Sequence, residues 1–361
     1  MLNSALDILK SINKEGYTAY IVGGFVRDYL INIKSTDIDI ATNMPIDKIS
    51  QLFNIEIESR HGSFLLNYNN FNFEITLFRK ELSYVNHRHP EVEFVSTYKE
   101  DYIRRDFTIN ALAFDYNMDL IDYCNGSNDL SNKTIKTIRE PNLTMCEDPV
   151  RILRAIYFKN KLNFTFDSKT LHAITNNIKC LSTISFNRLY TELKKVACDF
   201  NKYIDDYINL NIGEHIHLVD AINFIYNNKI PISNINDLLI INLYLGNDIS
   251  KWELNSKVKK DFIKIIQIIK SNFEIRVLFD SDKDIVKEAK RIATLLNLKF
   301  NNSELLINST ADIDYDLKNL NNLFDKKEIN IIKSNIIDAI LNGNLNNNND
   351  DILIYINSLK K

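Results

Sequence analysis

Residues 19–42, AYIVGGFVRDYLINIKSTDIDIAT, decide how this chain is read. The β-branched run AYIV reads as a strand, Gly23-Gly24 as the turn that ends it, and FVRDYLI as a helix that carries Arg27 and Asp28 in its first turns. Two glycines at a strand-to-helix turn let backbone N–H groups approach an anion at the positive end of the helix, and a phosphate fits there. The same residues also suit a plain tight turn. Neither GxxxxGK[ST] nor GxGxxG occurs, so the usual ATPase and dinucleotide fingerprints are absent. Asp37-Ile38-Asp39-Ile40 then alternates acid and apolar. On a strand, residues two apart share a side, so the spacing predicts converging carboxylates above a buried isoleucine pair. Converging carboxylates repel unless a cation joins them, and Mg²⁺ with a substrate triphosphate is the common solution. An edge strand with a solvated acidic face is the other reading. Glu74, in FNFEITLF, is placed to complete the acidic cluster from a neighbouring strand.

Outward from this stretch the chain changes character. Four of the five prolines and five of the eight glycines precede residue 150, together with the strand-like runs SFLLNY (63–68) and FNFEITLF (71–78). That part reads as α/β. From Asp148 onward apolar residues recur at three and four, as in Ile152, Leu153 and Ile156, or Val258, Phe262, Ile265 and Ile269, which predicts an all-helical remainder. The 361 residues are 45% hydrophobic and 25% charged, which excludes a disordered or collagen-like chain and leaves room for two or three domains. With 44 Lys and Arg against 47 Asp and Glu, there is no global attraction to nucleic acid, so a polyanion must meet a local basic patch. Lys257, Lys260 and Lys264, and the group Lys283, Lys287, Lys290 and Arg291, are the candidate phosphate contacts, unless they are only solvated faces. The four cysteines have no CxxC spacing and read as reduced packing residues, with no zinc site. No stretch is long and apolar enough for a membrane span and the first residues do not form a signal peptide, so a cytoplasmic location is expected.

YIVGGFVRDYL, DIDIAT, RRDFTINALAFD (104–115) and EDPVRILRAIYF (147–158) together resemble the bacterial and eukaryotic type of tRNA nucleotidyltransferase, the CCA-adding family. The resemblance runs from about Ala19 to Val196. It implies an α/β polymerase-beta-like nucleotidyltransferase head at 1–140, followed by all-α neck (141–200), body (201–280) and tail (281–361) domains. It further implies that Asp37 and Asp39 hold magnesium ions and, with Arg105, are catalytic. Gly23, Gly24, Arg27, Asp28, Arg105, Asp106 and Asn110 are implied to line the triphosphate and sugar. Glu147, Asp148, Arg151 and Arg154 match the base-reading motif. Cytosine and adenine both present an amino donor beside a ring-nitrogen acceptor, whereas uracil and guanine present the reverse; a carboxylate beside a guanidinium therefore accepts the first pair and rejects the second. In the chain itself, Asp148-Pro149 reads as N-cap and N1 of a helix, and Asp148 as a simple cap paired with Arg151 is the structural alternative.

Three features depart from the family pattern. Tyr157 stands where arginine is usual, Asn187 replaces an acid in SFNRLYTEL (185–193) while Ser185, Arg188 and Glu192 remain, and the tail has no residue-level match. That later motif is expected to brace a helix more than touch substrate. RKELSYVNHRHPEV (79–92) resembles the flexible loop needed for adding the terminal A, and Arg60-His61-Gly62-Ser63 resembles the strand entry of CCA-adding enzymes, not that of bacterial poly(A) polymerases. The implied reaction is template-independent addition of CCA to the 3′ end of tRNA from CTP and ATP, releasing pyrophosphate, with no obligate protein partner and no membrane. Its alternatives are a poly(A) polymerase, a partial CC- or A-adding enzyme, and a non-catalytic RNA-binding relative.

Overall fold

Ala19, Ile21 and Val22 bury their side chains, and the strand that carries them lies inside a mixed sheet. The computed structural model describes residues 1–57, 62–85, 88–302 and 304–359, and the chain divides into two compact units, 1–222 and 223–361. The first unit opens with helix α1 (Leu2–Lys14), strand β1 (Ala19–Val22), helix α2 (Gly24–Leu30), strand β2 (Asp39–Thr42), helix α3 (Ile46–Phe53) and strands β3 (Ser63–Tyr68), β4 (Phe71–Leu77), β5 (Arg79–Val85) and β6 (Arg88–Phe94). Next come helix α4 (Tyr98–Asp101), the short strands β7 (Ala113–Phe114) and β8 (Leu120–Ile121), helix α5 (Gly126–Ser131) and strand β9 (Thr134–Ile135). Six strands form the main sheet in the order β3-β4-β2-β1-β7-β8. All its pairings are antiparallel except β2 with β4, which run parallel. Ala5, Ile8, Leu9 and Ile12 of α1, spaced at three and four, are buried, and α1 packs on β1.

The structure shortens one expected strand. DIDIA suggests a strand from residue 37, yet β2 begins at Asp39. The partner explains it: β1 ends at Val22, which faces Asp39, and the chain then turns away at Gly23. Ile38 and Ile40 are nonetheless buried and Asp37 and Asp39 exposed, so the alternation survives without the ladder.

RKELSYVNHRHPEV, read as a loop, is instead an antiparallel ribbon of β5 and β6 with Arg79 opposite Phe94 and Lys80 opposite Glu93. A Lys80–Glu93 ion pair at 3.0 Å joins its strands. Its turn at 86–87 lies outside the described residues.

The helical part of this unit contains α6 (Pro141–Glu147), α7 (Val150–Leu162), strand β10 (Thr165–Phe166), α8 (Ser168–Asn177), α9 (Phe186–Ala197), α10 (Ile204–Asn209) and α11 (Ile212–Ile216). Strand β10 corrects the all-helical expectation, because it pairs parallel with β9. Asn163, left-handed at φ 57°, reverses the chain after α7 and lays Thr165 beside the Lys133 carbonyl. Helices α7 and α9 pack together, with Leu189, Leu193 and Val196 of α9 buried at helical spacing.

Helix α12 (Val219–Asn228) spans the division between the units, and the second unit is otherwise built from α13 (Ile235–Tyr244), α14 (Ser256–Lys270), α15 (Ile275–Phe279), α16 (Lys283–Leu295), α17 (Lys326–Leu341) and α18 (Asn349–Ser358). Ile329, Ile336 and Ile340 of α17 and Ile352 and Ile356 of α18 share one of its cores. Lys257 and Lys260 are exposed, opposite buried Phe262 and Ile265, as their spacing predicts. Arg291 does not belong with the exposed lysines: it bonds to Asp237, which is wholly buried, and to Glu288. A buried carboxylate needs such a partner, so this arginine serves the fold.

Candidate active site

Gly23 has φ +73° and ψ −131°, a conformation L side chains avoid. A Cβ there would lie 3.5 Å from Arg105 Nη1 and 3.9 Å from Asp39 Oδ2, so three of the residues singled out from the sequence converge at one point. Arg105 is held in place from behind. Its guanidinium lies 5.4 Å from the Tyr98 ring centre, and its Nη2 donates to Asp101 Oδ2 at 3.2 Å. Tyr98 in turn donates its hydroxyl to the Ala111 carbonyl at 3.0 Å, and burial pushes that hydroxyl up to about 12.

Asp39 and Glu74 are register partners on parallel strands, so their carboxylates share one face of the sheet, and Asp37 stands two residues before Asp39. The Asp39 carboxyl is pushed up to about 6, first by desolvation and then by Glu74, with Asp37 adding to the rise and Arg105 opposing it. Although Asp39 is accessible, protein crowds its carboxyl end. Local negative charge is therefore under-compensated. An oxygen donor with such uncompensated charge suits a hard divalent cation, although among the described residues no three acidic side chains are close enough together to hold one between them.

A second set of polar contacts, buried except at its Arg154 end, links residues of the same motifs. Asp28 Oδ1 accepts from Arg27 Nε at 2.8 Å, Arg27 Nη1 donates to Asn110 Oδ1 at 2.5 Å, and Asn110 Nδ2 donates to Asp106 Oδ1 at 2.9 Å. Asp106 Oδ2 accepts from Arg154 Nε at 2.7 Å. Burial alone would raise the Asp106 carboxyl, but Arg154, Asn110 and the Phe107 N–H hold it below the usual carboxylate range. Five residues from three stretches of sequence are thereby locked to one another, and Gly24 lies over the first arginine, its Cβ position 3.7 Å from Arg27 Nη2.

The base-reading motif is arranged differently from the expected pair. Asp148 ends α6 and its Oδ1 accepts from the Val150 N–H at 3.2 Å, so it caps α7, which opens one residue later than expected. Both Asp148 oxygens lie 2.8 Å from Arg188 Nη2, and no Asp148–Arg151 side-chain bond is found among the described residues. Arg151 is buried and donates to the carbonyls of Thr144 and Arg104, with Glu147 at 3.9 Å and Glu81 at 3.8 Å. Glu147 is paired with Arg139. Tyr157, in the usual arginine position, stacks on Tyr203 at 6.1 Å and 9°. Arg60 and His61 lie outside the described residues.

Comparisons with known proteins show which family the chain falls in. The family model described as Poly A polymerase head domain matches residues 19–136. Over 392 residues, the chain is 30% identical to the CCA-adding enzyme of Lactobacillus johnsonii, covering 99% of this chain and 97% of that one. The chain belongs to the CCA-adding enzyme family. Identity to the CCA-adding enzyme of Staphylococcus epidermidis is higher, 42%, over 56% of this chain and 51% of the relative. In that alignment the chain spans about half the length of the curated relative it matches. The crystal structure of the Bacillus stearothermophilus CCA-adding enzyme in complex with CTP has the same fold, with a TM-score of 0.74 and 22% identity over 99% of this chain and 96% of that one. A Thermotoga maritima CCA-adding enzyme complexed with tRNA_CCA is similar at a TM-score of 0.63 and 20% identity, over 99% of this chain and 95% of that one.

Within this CCA-adding family member, sequence reasoning overlooked two organising residues. Asp101 is completely buried and accepts from the Arg79 N–H and from both Arg104 and Arg105. An acid four residues before Arg105 on a short helical turn was the available signal. Phe158 lies under two guanidiniums, with Arg27 4.9 Å and Arg154 5.3 Å from its ring centre. As an apolar residue inside EDPVRILRAIYF it carried no sequence signal of this contact.

Proposed function

We propose that this chain adds CCA to the 3′ end of tRNA, without a template, by transfer from CTP and then ATP. The observation that carries this reading is the convergence of Asp39, Gly23 and Arg105 beside Glu74. In this reading the head is 1–140, the neck 141–200, the body 201–280 and the tail 281–361, and the enzyme works in the cytoplasm. Asp37 and Asp39 would hold Mg²⁺, which when bound would neutralise phosphate charge and favour ionisation of the attacking hydroxyl, with Glu74 adding to the negative charge beside Asp39. The 3′-hydroxyl of tRNA attacks the α-phosphate, the bond to the β-phosphate breaks, and pyrophosphate leaves.

The residues of the chain supply position and charge. The open, Cβ-free surface of Gly23 and Gly24 admits the triphosphate, and Arg105, braced by Tyr98 and Asp101, meets its negative charge. Arg27 and Arg154 stand behind it as a second positive layer, whose geometry is set by Asp28, Asn110 and Asp106. Asp148 accepts from the base amino group; Arg151, which rests buried on the carbonyls of Thr144 and Arg104, donates to the adjacent ring nitrogen only once it turns outward from them. Incubating tRNA lacking CCA with each NTP in turn, and reading product lengths on a gel, tests the whole. Two residues added from CTP and one from ATP are expected; extended tails from ATP alone would identify a poly(A) polymerase instead.

A further inference from the structure

Arg188 is the third residue of α9, whose first turn contains no acid. A cation there opposes the helix dipole, so local helix energetics do not favour it. Its counterpart is Asp148, forty residues earlier, with both oxygens 2.8 Å from the same Arg188 nitrogen. The pair is partly open to solvent: the side chains are 37% and 19% exposed, where an ion pair adds little to stability. One turn further on, Glu192 acts on Arg154, so α9 presents opposite charges to the two ends of the base-reading motif.

We propose that Arg188 is a positioning residue for base selection, fixing the plane of the Asp148 carboxylate so that one defined oxygen meets the amino group of the incoming base. A carboxylate offers about four acceptor positions. Oδ1 uses its two on Val150 N–H and Arg188, and Oδ2 uses one on Arg188. The position left is on Oδ2. With its plane fixed, Asp148 presents an acceptor at one place only, which matches the amino groups of C and A and opposes the carbonyls of U and G. Without Arg188 the carboxylate can rotate and the match is no longer imposed. This inference rests on the reading of Asp148 as the base-amino acceptor.

The test measures kcat and KM for CTP, ATP, UTP and GTP on tRNA lacking CCA, using the full chain and the variants Arg188→Ala, Arg188→Lys, Asp148→Ala and the double alanine. Arg188→Ala is expected to lower discrimination against UTP and GTP about tenfold, as loss of a charge-assisted contact would. Since a single nitrogen serves both oxygens, Arg188→Lys should restore most of it. The double variant should discriminate no worse than Asp148→Ala alone. Wild-type discrimination in Arg188→Ala with a lowered melting temperature, or a lysine variant that rescues nothing, overturns the inference and leaves Arg188 as a tie between helices. Unchanged discrimination in Asp148→Ala is a different failure, since it removes base reading at Asp148 and this inference with it.

Discussion

Asp39 and Glu74 face each other as register partners on the one parallel pair of the main sheet, β2 with β4. Two acids at this spacing on one face destabilise each other, and the site retains that repulsion in place of a neutral pair. Arg105 relieves it only partly, since the Asp39 carboxyl still sits at about 6.

Glu74→Gln should bring the Asp39 carboxyl down from about 6 toward its ordinary value in cation-free protein, as followed by its carboxyl NMR shift against pH. The sign for stability follows from the raised value. The unfolded chain gives up this proton near pH 3.8 and the folded one near 6, so folding loses stability as pH rises through that window. Urea melts at pH 4 and pH 7 should show a smaller loss in Glu74→Gln. An Asp39 titration unmoved by the substitution would refute the coupling.

Asp37→Ala or Asp39→Ala should abolish nucleotide addition while tRNA binding, read by gel shift, is kept. Magnesium stabilises only a fold that binds it, so Mg²⁺ should raise the melting temperature of the wild type more than that of either variant. Substantial turnover in either variant would remove the metal assignment.

Asp106→Asn should cost about 3 kcal/mol at pH 7, because it leaves Arg154 beside a neutral amide in a buried network. The Asp106 carboxyl is held below its usual range, so its contribution is complete above about pH 4 and lost as pH falls through the folded value. Chemical denaturation of both proteins should therefore show the gap closing as the pH is taken below 4. A pH-independent gap would mean that shape, not charge, holds the network.

Deleting part of Glu81–Glu91 should leave CC addition and stop addition of the terminal A, since the sequence of this ribbon resembles the loop that accompanies the switch to ATP. The ribbon is a sheet of its own, apart from the six-stranded one, so the head should stay folded. Gel lengths decide the matter, and completion of CCA at the wild-type rate would give the ribbon another task.

The sequence alone determined what depends on local order. Gly23-Gly24 after a β-branched run sets the turn, the Asp-Ile alternation puts acids out and isoleucines in, and three-and-four spacing makes α9 amphipathic. These are properties of neighbours along the chain, legible from residue type and period. Tertiary structure decided every partner brought from a distance. Asp148 takes Arg188 and not the nearby Arg151, because α9 packs on α7 while Arg151 turns inward to the carbonyls of Thr144 and Arg104. Glu74 is brought beside Asp39 only through the parallel register of β4 with β2, and Arg291 is taken out of the basic surface by the buried Asp237. Buried charge must be paired and the pairing is set by packing, so local periodicity places a residue on a face without naming what that face will meet.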